Sequence, residues 1–253
     1  MSVKARFKSF FALLSRALTK RFLTAQTGKR RKKLLGLLSG SGIEIGALHQ
    51  PCQAPHLQVR YVDRLNVTEL RELYPELKDH ALVEPDILDD AQELKILPDS
   101  SQDFVIANHV IEHMANPIKA LLNWQRVLKT GGRLFMAVPD KRRTFDELRP
   151  LTTLEHLLLD YNVPSSERDR QHFEEFALYV NCRKLKHRAE QEHRELAKEL
   201  WDKQYSIHYH VWDYDSFVDF LRALPHRFPH WTMREIAKLK PHGQEFIFVL
   251  ERY

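Results

Sequence analysis

The stretch Gly42-Ile43-Glu44-Ile45-Gly46-Ala47-Leu48-His49-Gln50-Pro51, followed about twenty residues on by Asp63, decides the fold. An apolar strand runs into a turn that carries an acid and a glycine. A second strand, Val59 to Val62, then ends on an acid. That spacing marks the nucleotide end of an α/β sheet. Glycine lets the backbone approach a ligand, and an acid after the second strand reaches a ribose diol.

Outward from this stretch, strand-like and helix-like segments alternate to about residue 139, as a parallel, doubly wound sheet requires. The strand candidates are Ile43–Ile45, Val59–Val62, Ala81–Val83, Phe104–Ala107 and Leu134–Val138. Asn116 is placed to cap the helix after the fourth strand, with Pro117 in its first turn and Gly131-Gly132 just past its end. Residues 140–212 turn charged and helical and read as a cap insertion, with Thr152 and Glu155 spaced as a capping box. A helix (Ser216–Leu224) and two strands (Trp231–Lys238 and Glu245–Glu251) close the chain, and the short turn between those strands makes them antiparallel. The expected architecture is α/β: a doubly wound, mostly parallel seven-stranded sheet with an antiparallel C-terminal hairpin and a helical cap.

The charge of this 253-residue chain is segregated. Residues 1–43 hold eleven Lys and Arg and no acid, whereas the rest holds 28 basic and 34 acidic side chains. The net charge of +5 therefore describes a basic tail on a mildly acidic body, and it does not make the body a nucleic-acid binder. Val3, Phe7, Phe10, Phe11, Leu14, Leu18 and Phe22 recur at helical spacing beside Lys4, Lys8, Arg16, Lys20 and Arg21. Such a segment either lies on an anionic membrane or packs its stripe on protein. The domain reading is a basic amphipathic segment, 1–33, before a body of 34–253. No apolar run is long enough to span a membrane. Two cysteines point to no disulfide framework and so to a reducing, cytoplasmic compartment.

The run Leu97-Pro98-Asp99-Ser100-Ser101-Gln102-Asp103-Phe104-Val105-Ile106-Ala107-Asn108-His109-Val110-Ile111-Glu112-His113 resembles the fourth-strand signature of class I S-adenosylmethionine-dependent methyltransferases of the type 11 group. Leu128-Lys129-Thr130-Gly131-Gly132-Arg133-Leu134 is similar to that group's entry into the fifth strand. The runs from Val138 to Asp146, Thr153 to His156 and His208 to Trp212 resemble a bacterial branch associated with polysaccharide biosynthesis. The resemblance implies S-adenosyl-L-methionine as cofactor. Glu44 and Gly46 would line its methionine part, Asp63 its ribose, Asp86 and Ile87 its adenine, and Asn108 and His109 would sit beside the transferable methyl. One departure is that Ala47, Leu48 and His49 stand where the group more often carries further glycines.

The implied reaction is methyl transfer to an acceptor oxygen or nitrogen, with a glycan or glycolipid favoured as acceptor. A hydroxyl acceptor needs a base. His109 and Asp140 are the first candidates, followed by His156, His208 and His210 of the cap. His208 and His210, with Trp212, alternate as on a strand and would face one side; with His156 or His172 they could ligate a metal. His-x-His is a weak pattern among fourteen histidines, so lining the acceptor pocket is the preferred reading and no metal is expected. Lys141, Arg142, Arg143 and Arg149 either meet an anionic acceptor or pair with Asp140, Asp146 and Glu147. Two other readings stay open: a non-catalytic scaffold that keeps the fold, and an RNA methyltransferase that uses the basic tail.

Overall fold

The structure is a computed structural model, and it describes residues 25–184 and 190–253. The apolar stripe from Val3 to Phe22 lies outside the described residues. Helix α1 (Ala25–Leu35) leads into β1 (Ser41–Ile45). Then follow β2 (Gln58–Asp63), α2 (Val67–Leu73), β3 (Ile87–Leu88), β4 (Gln102–Asn108), α3 (Pro117–Val127) and β5 (Leu128–Pro139). The cap contributes α4 (Leu154–Asn162), α5 (Ser166–Phe176) with a π-helical continuation (Ala177–Lys184), and α6 (Glu190–Asp202). The chain ends in α7 (Tyr214–Arg227), β6 (Met233–His242) and β7 (Glu245–Arg252).

The seven strands lie in the order β3-β2-β1-β4-β5-β7-β6. Pairing is parallel from β3 through β5, and antiparallel where β7 meets β5 and β6. Strand order reverses between β1 and β4, which is where an open α/β sheet takes its ligand. This is the expected mixed sheet, with a helix-bearing segment inserted after β5.

Side-chain alternation along the strands divides the core between the two faces. Ile43, Ile45, Val105, Ala107, Leu134, Met136 and Val138 pack on one face with Trp124 of α3 and Phe217 of α7. Phe104, Ile106, Phe135, Ala137, Ile247 and Val249 pack on the other with Leu35 of α1 and with Leu38. Gly42 shows how closely β1 and β4 approach: a Cβ there would sit 2.2 Å from the Phe104 carbonyl oxygen. A separate small core under the cap joins Phe145, Phe173, Phe176, Leu200 and Ile207.

Several sequence expectations shift. The third strand is not Ala81–Val83 but Ile87–Leu88, which pairs with Val62 and Asp63. Helix α3 is capped by Asn116 as expected, yet it ends at Val127, and the glycines fall inside an irregular start of β5. Thr152 does not cap α4; Thr153 does, while the Thr152 hydroxyl accepts the Val211 N–H. The boundary drawn at residue 33 falls inside α1, whose C-terminal turn packs on the sheet.

Candidate active site

The carboxyl ends of the parallel strands open into a cleft of about 960 Å3, closed on its far side by the cap. Glu44 lies at the end of β1 and Gly46 just past it, Asp63 ends β2, Asn108 ends β4 with His109 next in the chain, and all five line the cleft. That volume lies at the upper end of the range for small-molecule sites.

Gly46 turns the chain at φ +64°, the left-handed region that costs a non-glycine residue about 1–2 kcal/mol. A Cβ at Gly46 would meet only Val110 Cγ2, at 3.6 Å, so the dihedral and not crowding selects glycine. Glu44 fixes the loop beyond it. One carboxylate oxygen accepts the Cys52 N–H at 2.8 Å and the other accepts the Asn108 amide at 3.0 Å. Burial raises the Glu44 carboxyl above its ordinary range, opposed by the Cys52 N–H, Asn108 and Arg31. Burial also pushes the Cys52 thiol up to about 12, with the Glu44 charge adding to it, which rules out a thiolate nucleophile. Asp63 accepts the Arg64 N–H at 2.7 Å on Oδ1, and burial raises its carboxyl as well.

At the other side of the switch point, His109 adopts φ +55°, a strained conformation for a non-glycine residue. Its Nε2 lies 2.7 Å from Glu245 and its Nδ1 3.5 Å from Glu112. Glu245 begins β7 opposite Pro139, and its second oxygen accepts from Arg31 at 2.6 Å. Arg31 also donates to Asn108 Oδ1 at 2.5 Å, so α1 is tied to the ends of both β4 and β7. Glu245 is held down to about 2: burial raises it, and His109 and Arg31 together outweigh burial.

The cap wall carries a second set. His208 lines the cleft, and its Nδ1 lies 2.6 Å from Asp146 Oδ2. Asp146 is fully buried and also accepts from Arg149 at 3.0 Å. Burial raises its carboxyl, but His208 and Arg149 bring it down to about 2. The rings of His113 and Phe145 each lie 4.7 Å from that of His208.

Residues 39–136 match the family model described as a methyltransferase domain. The matched stretch runs from just before β1 into β5, the parallel part of the sheet. No curated protein is similar enough in sequence to match it. Among solved structures, a protein of Pyrococcus horikoshii is 19% identical over 91% of this chain and 93% of its own, with a TM-score of 0.47. An S-adenosylmethionine-dependent methyltransferase from Aquifex aeolicus is 12% identical over 89% of each chain, with a TM-score of 0.44. Likeness at that level speaks to neither substrate nor mechanism.

S-adenosylmethionine is the cofactor of this methyltransferase, and the cleft fits it. Asp63 is a half-buried carboxylate with raised pKa whose charge gains from hydroxyl donors such as a ribose diol. Gly46 leaves the backbone open toward the cleft, as a ligand in van der Waals contact with it requires. Glu44, Asn108 and His109 complete that wall.

Other sequence candidates lie elsewhere. Asp86 precedes β3, its carboxylate accepts the Tyr61 N–H at 2.7 Å, and it does not line the cleft. Ile87 is core. The acid after β3 that lines the cleft is Asp90, because β3 lies later in the chain than expected. Asp140 is fully buried and bound by the Arg142 guanidinium at 2.8 and 2.6 Å, so it closes a turn instead of facing an acceptor. Its carboxyl is raised by burial and lowered further by Arg142, to a net value below the ordinary range. His156 and His210 do not line the cleft, and burial drives His210 well below the ordinary imidazole value. His208 and His210 follow an irregular segment, not a strand, and face different groups. Arg142 pairs with Asp140 and Arg149 with Asp146, the second of the two readings of that run, whereas Arg143 donates to the Gly243 carbonyl. Sequence reasoning missed Arg31, whose position in a basic run hid it, and Glu245, which only the β5–β7 register brings to the site.

Proposed function

We propose that this methyltransferase acts on a hydroxyl oxygen of a glycan or glycolipid, with His208 as general base. S-adenosylmethionine supplies, when bound, a methyl group already activated by a positive sulfur. The protein has two tasks: to hold the acceptor oxygen in line and to receive its proton. Orientation of this kind is worth about 7–11 kcal/mol of barrier.

The observation that carries the reading is the His208–Asp146 pair on the cap wall. A carboxylate bonded to Nδ1–H fixes the tautomer that leaves Nε2 as the basic nitrogen, and it stabilises the imidazolium formed when Nε2 takes a proton. Arg149 holds Asp146 in place. His109 suits the role less well, because both of its ring nitrogens face carboxylates. It orients the end of β4 instead. The acceptor side of the cleft mixes aromatic rings (Phe145, Phe176, Tyr205, Tyr209) with Ser206 and His208. Ring faces against CH surfaces and polar groups against hydroxyls suit a saccharide. A lipid-linked acceptor agrees with the basic amphipathic residues at the start of the chain. Removing residues 1–24, which leaves Arg31 in place, is expected to abolish binding to anionic vesicles and to leave cofactor binding intact.

The test is transfer of labelled methyl from S-adenosylmethionine to a panel of saccharides and amines, for wild type and His208→Ala. Saccharide methylation that falls at least about 100-fold in the variant supports the reading. Equal activity in the variant, or methylation of amines alone, overturns it, since an amine reacts through its own lone pair without a base.

A further inference from the structure

Behind the cleft, three elements bring three histidines and an aspartate to one point. His156 and Asp160 stand one turn apart on α4, His172 comes from α5, and His210 from the segment that enters α7. One ring nitrogen from each imidazole lies within 4.8 Å of the other two. Asp160 Oδ2 faces all three rings, at 3.1 Å from His156 Nε2, 3.6 Å from His172 Nε2 and 3.8 Å from His210 Nε2.

The hydrogen bonds around this cluster orient it and leave its centre unsatisfied. Asp160 Oδ1 is held by the Arg168 guanidinium at 2.8 and 2.5 Å. Oδ2 is buried and accepts no aligned hydrogen bond. His172 directs Nδ1 to the Tyr209 carbonyl at 3.1 Å, which leaves Nε2 as a lone pair turned toward Asp160. His210 reaches the Ala115 carbonyl at 3.3 Å through Nε2, and its Nδ1 is buried without a partner. A ring nitrogen on a backbone carbonyl with the other nitrogen bare is how proteins prepare a histidine to ligate. The bare His172 Nε2 faces a buried carboxylate oxygen and the bare His210 Nδ1 meets no donor, which is costly unless a cation takes up these lone pairs.

We propose that His156, Asp160, His172 and His210 bind one divalent transition-metal ion, with Zn2+ the best match to three imidazoles and one carboxylate. Calcium and magnesium prefer all-oxygen sets. Four protein ligands leave no open position, so the ion is structural. Bonds of about 2.0–2.1 Å draw the rings inward until their nitrogens stand about 3.4 Å apart. The ion fastens α4 and α5 to the 203–212 segment, and it thereby fixes Tyr209 and His208, one and two residues before His210, on the acceptor wall. Nothing in this proposal depends on which acceptor is methylated.

The experiment uses the full chain, stripped with a chelator and titrated with Zn2+ against a chromogenic indicator. One equivalent is expected to bind, with a rise of about 5–10 °C in melting temperature at saturating metal. Co2+ in its place is expected to give the visible absorption of a tetrahedral centre. His156→Ala, at the partly exposed edge of the cluster, and the near-isosteric Asp160→Asn are expected to lose the bound equivalent and the shift. His226→Ala, on the exposed surface, keeps both. Less than about 0.2 equivalents in the wild type, or the same stoichiometry in folded His156→Ala and Asp160→Asn, overturns the proposal and leaves a metal-free His–Asp network. Calorimetry with S-adenosylhomocysteine on the same samples reports the cofactor site separately.

Discussion

Asp63, which lines the cleft at the end of β2, is the residue we propose for the cofactor ribose. Its carboxylate is partly desolvated and accepts two backbone N–H groups of the following turn, Arg64 at 2.7 Å and Leu65 at 3.4 Å. Ribose hydroxyls would add charge-assisted bonds of about 1.5–3 kcal/mol each. Asp63→Ala is therefore expected to weaken S-adenosylhomocysteine binding at least about 10-fold by calorimetry, with the fold retained by circular dichroism. Since burial raises the Asp63 carboxyl, the wild type should begin to lose affinity on acidification at a higher pH than an ordinary aspartate would impose. Affinity that is flat down to pH 4 would contradict this. At His208 the argument is about a tautomer. Asp146→Asn keeps the shape but can present its amide N–H to Nδ1, which turns the Nε2 proton toward the acceptor and removes the base. Its kcat should fall about as far as that of His208→Ala, with KM for the cofactor unchanged.

Helix α1 shows what an element can do that its sequence conceals. Residues 29–33 are all Lys or Arg, yet Arg31 points into the site and bonds Asn108 and Glu245, over the ring of Phe135. Arg31→Ala leaves buried Glu245 without its guanidinium partner and facing His109, and it should destabilise the protein by about 2–4 kcal/mol in urea unfolding. Arg31→Lys should recover only part of that, because one ammonium cannot reproduce the fork. The parts of the site legible in the sequence were those fixed by strand ends: Glu44, Gly46, Asp63, Asn108 and His109 each lie within two residues of a strand terminus. Arg31, Glu245 and Asp146 were illegible as partners because sheet order and cap packing bring them in from more than fifty residues away. The third strand failed for a related reason. Ala81-Leu82-Val83 is the more apolar run, but pairing with β2 selects Ile87–Leu88, and for an edge strand of two residues that tertiary choice outweighs local propensity.

Across the whole molecule, the body is mildly acidic, and two of its buried acids stand well below their ordinary values. Glu245 is held to about 2 and Asp146 to about 2, in each case because cationic or hydrogen-bonding partners outweigh burial. For such groups the unfolded chain binds protons more tightly than the folded one, so stability rises with pH through the interval between the two pKa values. The contribution is complete above about pH 4.5 and is lost as pH falls toward 2, and for Glu245 it amounts to about 3 kcal/mol. Denaturant midpoints measured from pH 7 to pH 2 should therefore hold level and then drop steeply below pH 4.5. In Glu245→Gln the drop should be shallower, from a lower plateau at pH 7, because the group that carried the linkage is gone. A parallel acid profile in wild type and variant would mean that Glu245 titrates alike in both states and that the Arg31–Glu245–His109 cluster does not stabilise the closed end of the sheet.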